Sequence, residues 1–237
     1  MTAPQLRLLS GGAAHGVVQA VAPRFRTETG AEIVGTFGPV GAMKDRLLAG
    51  EPADLVILTK ALVAELAAAG RILADTCADL GRVGTGVAVK QGDKVPDISS
   101  GPALRAALLA APEIYFPDPQ RATAGIHFAG VLERLGLRAA LAPRLRPHAS
   151  GAAAMRAMSS AAGSGALACT QITEIMITPG VTLVGPLPGE FELATVYSAA
   201  VCATAASTEL ARRLAAQLTG ELTQTLRTQC GFEPCSS

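Results

Sequence analysis

The chain has 237 residues, with 20 basic and 19 acidic side chains, a net charge of +1 and 49% hydrophobic residues. The charge balance gives no electrostatic reason to expect nucleic acid, whose binding needs clustered Lys and Arg, and the lack of Trp with only 3% aromatics argues against stacking platforms for bases. The apolar content beside 16% charged residues excludes a disordered chain, and no apolar run approaches the roughly 20 residues of a bilayer span.

Short apolar runs alternate with Ala- and Leu-rich segments, the pattern of an α/β fold. A strand is predicted over 6–9, a Ser10-Gly11-Gly12 loop after it, and a helix over 13–29 stopped by Gly30. A strand over 31–37 runs into Gly38-Pro39-Val40-Gly41, which opens a helix over 42–49. A buried strand over 54–59 is followed by a helix over 60–69 closed by Gly70. Such successive strand–helix units imply right-handed parallel crossovers. The second half repeats the theme with a strand over 84–90, a helix over 102–111, a strand over 113–116, a polar loop over 117–125 and a helix over 126–135. His148 falls in a Pro/Ser/Gly loop; then come a helix over 152–161, strands over 165–170, 181–183 and 195–203, and one or two helices within 209–229. The two blocks predict two lobes, 1–82 with 196–237 and 83–195.

The cysteines, Cys77, Cys169, Cys202, Cys230 and Cys235, are odd in number and show no CxxC or Cys/His spacing, so no metal centre is expected. The first nine residues lack a basic stretch followed by an apolar core. Together these features predict a cytoplasmic protein, or a periplasmic one if a leader has been removed.

Ligands of open α/β sheets bind beyond the carboxyl ends of the strands, where helix N-termini present free N–H groups and the positive end of the dipole. Four segments fit that place: 10–12, 37–41, 118–127 and 170–174. Ser10 offers a hydroxyl, and Gly11 and Gly12 would let a ligand approach the backbone. Thr123, Ala124 and Gly125 lead a helix whose N–H groups suit a carboxylate or oxyanion, and Arg121 could grip a carboxylate with two hydrogen bonds. Gln171 is a further candidate contact. His15 and His127, each early in a helix that follows such a loop, are candidate proton carriers. Glu174 is a third, since burial raises a carboxyl's pKa. Each residue also has a structural reading: a helix cap for Ser10, Thr123 or Glu174, a solvated cation for Arg121 or Lys44, a packed side chain for either histidine.

The run Phe37-Gly-Pro-Val-Gly-Ala-Met-Lys-Asp-Arg-Leu-Leu-Ala-Gly-Glu-Pro-Ala-Asp-Leu-Val-Ile-Leu-Thr59 resembles the glycine loop, helix and "GxPADVxI" segment of the molybdate-type substrate-binding proteins of ABC transporters. Leu8-Leu-Ser-Gly-Gly-Ala-Ala14, Gly163-Ser-Gly-Ala-Leu-Ala-Cys-Thr-Gln-Ile-Thr-Glu174 and Cys230-Gly-Phe-Glu233 are similar to further parts of that family. The resemblance implies a type II periplasmic-binding-protein fold: α/β, two Rossmann-like lobes with a central ligand cleft. It implies a small anionic ligand, no cofactor and, for an exported protein, an ABC permease as partner. The family usually places a serine hydroxyl where this chain has Pro39 and Val40, and often a Tyr where it has Thr170. Pro39 has no N–H and Val40 no side-chain donor, so molybdate is not the expected ligand. An aconitate isomerase also resembles this branch.

Two functions follow. One is a solute-binding protein closing its lobes on a carboxylate or other oxyanion, with Ser10, the 38–41 loop, Thr123–Gly125 and Gln171 as walls. The other is a cofactor-independent isomerase of an unsaturated di- or tricarboxylate, with His127, His15 and Glu174 as proton carriers and Arg121 and Lys44 as anchors. No GxSxG, HExxH, Walker loop or GxGxxG occurs, which leaves serine hydrolase, zinc protease and nucleotide-binding readings unsupported.

Overall fold

Strands and helices alternate in chain order. In the computed structural model, which describes residues 3–235, they are β1 (Gln5–Gly11), α1 (His15–Thr29), β2 (Glu32–Gly38), α2 (Val40–Leu48), β3 (Leu55–Thr59), α3 (Lys60–Ala68) and β4 (Ala78–Lys90). They continue with α4 (Gly101–Ala110), β5 (Ile114–Pro117), α5 (Thr123–Arg134), α6 (Arg138–Leu141), β6 (Leu145–His148), α7 (Gly151–Ser160), β7 (Leu167–Gln171), α8 (Ile172–Met176) and β8 (Val181–Pro186). The last are β9 (Ala194–Val201), α9 (Thr208–Thr219) and α10 (Gln224–Gln229). Residues 1–2, on which the leader reading partly rests, and 236–237 lie outside the described residues.

The chain divides into two units. One comprises the residues up to Val83 and from Thr195 onward, the other Gly84–Ala194. In the first, the strand order is β2-β1-β3-β9, with the first three parallel and β9 antiparallel to β3. Gly30 and Gly70 follow α1 and α3 with φ of 71° and 65°, a conformation L side chains resist, and so turn the chain back towards the sheet. Leu6, Leu8, Leu55, Ile57, Phe25 of α1, Leu66 of α3 and Leu214 of α9 are buried in one core. Each such side chain contributes about 1.5–3 kcal/mol by leaving water.

A buried polar staple sits in this core. Asp54 is 3% exposed. Its Oδ2 accepts the Arg7 N–H at 2.8 Å and its Oδ1 the Ser207 N–H at 3.0 Å, so one carboxylate ties β1 and the start of α9 to the entry of β3.

In the second unit the order is β6-β5-β7-β4-β8; β5, β6 and β7 are parallel, β4 runs antiparallel to β7, and β8 antiparallel to β4. Helices cover both faces, which is why its strands read as continuous apolar runs. Val87, Val89, Phe116, Leu167 and Cys169 pack with Leu104 and Leu108 of α4 and Phe128 and Val131 of α5. On the other face Ala88, Tyr115 and Ala168 pack with Ala154, Met155 and Met158 of α7 and Ile175 of α8.

Several elements differ from the sequence expectation: β4 starts at Ala78 and not at 84, α6 has no predicted counterpart, and α5, α2 and β6 depart for reasons the contacts show. α5 begins at Thr123 because Asp118 coils the loop beforehand: its Oδ1 accepts the N–H groups of Gln120 (2.7 Å) and Arg121 (3.2 Å). α2 begins at Val40, since Pro39, with φ at −56°, suits a helix start and has no N–H to leave unpaired. His148 ends a strand instead of lying in a loop. Leu145-Arg-Pro-His148 has little apolar character, but β6 is an edge strand, where proline is tolerated. No helix among the described residues is long and apolar enough to cross a membrane.

Candidate functional site

The carboxyl ends of β5, β6 and β7 lie along one edge of the second unit's sheet, and each strand is followed by a helix: α5, α7 and α8. α5 has no side-chain cap. Its first intrahelical bond is Ile126 N–H to Ala122 O at 2.9 Å, so the N–H groups of Thr123, Ala124 and Gly125 precede the ladder. Thr123 is therefore the first helical residue and not the cap, which is Ala122.

At the end of β7, Gln171 is 3% exposed, and neither atom of its amide has a hydrogen-bond partner among the described residues. Thr85 faces it across the antiparallel β4–β7 ladder, fully buried, with its hydroxyl also unpartnered. Alternation places Thr85 with Val87, and Gln171 with Cys169, on the face that α5 covers. Thr173, buried in the first turn of α8, has an unpartnered hydroxyl as well. Leaving such groups unpaired costs about 1–3 kcal/mol each, so their concentration at one strand end calls for a functional explanation.

Thr170 faces the other side of β7. Its hydroxyl donates to Glu174 Oε2 at 2.6 Å, and the buried Glu174 carboxyl also accepts the Ala152 N–H at the head of α7. Burial pushes this carboxyl above its ordinary pKa; the Thr170 and Ala152 hydrogen bonds and the charge of Arg156 pull it down less strongly. Burial thus disfavours the ionised form of Glu174 relative to an exposed carboxyl. Glu174 caps α7 instead of the helix it belongs to.

His127 is anchored in the fold: its Nε2 lies 2.7 Å from the Phe191 carbonyl oxygen, tying α5 to the Gly189–Phe191 turn. A methyl group on Gly125 would collide with the carbonyl oxygens of Pro117 and Asp118, so this glycine serves the approach of α5 to its own loop. Arg121 is exposed, its backbone N–H held by Asp118. His148 stacks on Tyr115 with ring centroids 5.7 Å apart, and burial pushes its pKa down.

In the first unit, Ser10, Gly11 and Gly38 stand at the carboxyl ends of β1 and β2. Ser10 is fully buried and caps no helix; its hydroxyl donates to the Gly11 carbonyl at 2.9 Å. A Cβ on Gly11 would sit 2.8 Å from Val40 Cγ1 and 2.9 Å from Tyr197 Cε1, so this glycine makes room for Val40 and Tyr197. Gly12 opens the 3-10 turn Gly12–Ala14 that leads into α1. The His15 ring lies 4.2 Å from that of Phe37. Pro39 is the cap residue of α2, and Lys44 is paired with Glu65 at 3.1 Å.

Residues 6–233 match the family described as bacterial extracellular solute-binding protein. The chain belongs to that family. The chain is 29% identical over 218 residues to an aconitate isomerase from Pseudomonas sp., covering 88% of this chain and 80% of that protein. It is similar in structure to the Azotobacter vinelandii periplasmic molybdate-binding protein, with TM-score 0.80 and 18% identity over 98% of this chain and 100% of that one. It is also similar to the sulfate-binding protein SubI from Mycobacterium tuberculosis, with TM-score 0.74 and 19% identity over 98% and 88% of the two chains. The periplasmic-binding-protein fold that the 37–59 and 163–174 segments imply is thereby established.

Within the second unit, Gln171, Glu174 and the Thr123–Gly125 helix head belong to one sheet edge. Sequence reasoning missed Thr85, Thr173 and Gly151 there. Ser150-Gly151 ahead of an Ala-rich run was a readable helix start, and Thr85 stands between two glycines in an otherwise apolar strand.

Proposed function

We propose that the protein binds a small organic anion through a carboxylate, with Gln171 and Thr85 as the groups that read it. The observation that carries this reading is the orphaned Gln171 amide opposite the orphaned Thr85 hydroxyl. Both offer donor hydrogens, and an ionised carboxylate is acceptor-only on both of its oxygens. The free N–H groups of Thr123, Ala124 and Gly125 and the dipole of α5 favour negative charge at the same sheet edge, and Arg121 adds a cation to the loop before them. Molybdate is disfavoured by the first unit, where Pro39 has no N–H and the Val40 side chain is packed against Gly11.

Family membership supports a role outside the cytoplasm, handing a solute to an ABC permease; cytoplasmic sensing is the alternative, and fractionation of the producing cell separates them. The binding test is a thermal-shift and calorimetric panel of cis-aconitate, trans-aconitate, citrate, sulfate and molybdate. A ligand at about 100 times its Kd stabilises by about 2.7 kcal/mol. At least one carboxylate should raise the unfolding midpoint. A shift from sulfate or molybdate alone would overturn the reading.

The 29% identity to an aconitate isomerase favours a second reading, isomerisation of an unsaturated tricarboxylate. The step is redox-neutral: an allylic C–H proton leaves to a base, the electron pair shifts through the double bond, and a proton returns to the far carbon. Within the second unit Glu174 is the candidate carrier. Proton NMR of cis- and trans-aconitate in D2O with the protein tests it, since interconversion with deuterium uptake is required. Binding without interconversion would leave the solute-binding role alone.

A further inference from the structure

α7 begins at the carboxyl end of β6, where an anion seat is expected, but that seat is filled from within the chain. Ser150 Oγ accepts the Ala153 N–H at 3.2 Å, and the Glu174 carboxyl accepts the Ala152 N–H. Glu174 Oε2 also accepts the Thr170 hydroxyl at 2.6 Å. The carboxyl rests on the bare Cα of Gly151, where any Cβ would collide with Glu174 Oε2 and Thr170 Oγ1. Starting the helix needs only the Ser150 cap. A glycine, a hydroxyl and a 6% exposed carboxyl brought to one point do something more.

We infer that Glu174 is a specificity-determining residue: an internal carboxyl seated at the head of α7 that keeps doubly charged tetrahedral oxyanions out of the second unit and leaves recognition to Gln171 and Thr85. The inference deepens the carboxylate reading and rests on it. A tetrahedral dianion needs several N–H or O–H donors around it, and here the Ala152 N–H and the Thr170 hydroxyl are already committed to Glu174. Gln171, the next residue after Thr170, faces the opposite side of the sheet and keeps its amide hydrogens for the ligand.

The test is Glu174→Ala, titrated calorimetrically with sodium sulfate and examined by thermal shift with sodium formate, chloride serving as the control. Removing the side chain frees two donors and the space of a carboxymethyl group. Sulfate affinity should rise at least about tenfold over wild type, the scale of one charge-assisted hydrogen bond, and formate should stabilise the variant by more than it stabilises wild type. A folded Glu174→Ala protein with unchanged sulfate affinity and no formate response beyond that of wild type overturns the inference. If the variant is unfolded alone, formate must restore a cooperative unfolding transition where chloride does not; failure to do so also overturns it. These outcomes are independent of whether wild type binds any organic carboxylate, so they separate this inference from the functional reading beneath it.

Discussion

Gly151 lies directly beneath the Glu174 carboxyl, with no room for a Cβ between them. The pair joins the start of α7 to the β7–α8 corner, and both partners are buried. Gly151→Ala should therefore destabilise the protein by about 1–3 kcal/mol, the usual cost of overpacking. Part of that cost should vanish in a Glu174→Ala background. Urea denaturation of the two single variants and the double variant measures the coupling; strict additivity would show that the two residues do not share the space.

Stability should respond to the charge state of Glu174. Burial raises its folded pKa above the ordinary 4.5. A carboxyl shifted this way contributes stability that is fully present below the unfolded pKa and lost as pH rises through the folded value. Glu174→Gln cannot ionise, so its stability relative to wild type should increase as pH climbs from about 4.5 through the folded pKa, then level off. Denaturation midpoints of both proteins across that range provide the check, and a relative loss by the Gln variant would refute the direction.

Asp54 belongs to the family-like 37–59 segment but lies in the core of the first unit, holding two backbone N–H groups. Asp54→Ala leaves both donors buried and unpaired, at a cost of about 2–4 kcal/mol. Chemical denaturation should show that loss, and the fraction that remains folded should keep wild-type ligand affinity. Normal stability would mean that water replaces the carboxylate.

Gly125→Ala and His127→Ala should act on folding. The first forces a methyl group against the Pro117 and Asp118 carbonyls, costing about 1–3 kcal/mol. The second removes the bond to the Phe191 carbonyl, worth about 1 kcal/mol. Thermal unfolding of each variant reads these losses directly; unchanged midpoints would place both residues outside the packing described.

The strand–helix alternation was legible because Gly30 and Gly70 punctuate it and because buried parallel strands such as Leu55–Thr59 are uniformly apolar. Gln171 and Glu174 could be singled out because polar residues at the end of an apolar strand stand out. Their division of labour could not be read. It depends on which face of β7 each side chain occupies, and on Gly151, which a strand and a helix bring beneath Glu174. At Gly11 and Gly125 a glycine beside a helix start signals close approach, but the sequence does not say whether a ligand or the chain itself approaches.

The role of Gln171 is tested most directly by Gln171→Leu, compared with wild type by calorimetric titration of the unsaturated tricarboxylate proposed above and by thermal unfolding. Replacing a buried, unpartnered amide with an apolar side chain removes a desolvation cost, so the unliganded variant should unfold at the same or a higher temperature. Its ligand affinity should fall at least about tenfold, the worth of one hydrogen bond to a charged group. A well-folded Gln171→Leu protein that binds with wild-type affinity would contradict the assignment of this residue as the reader of the ligand.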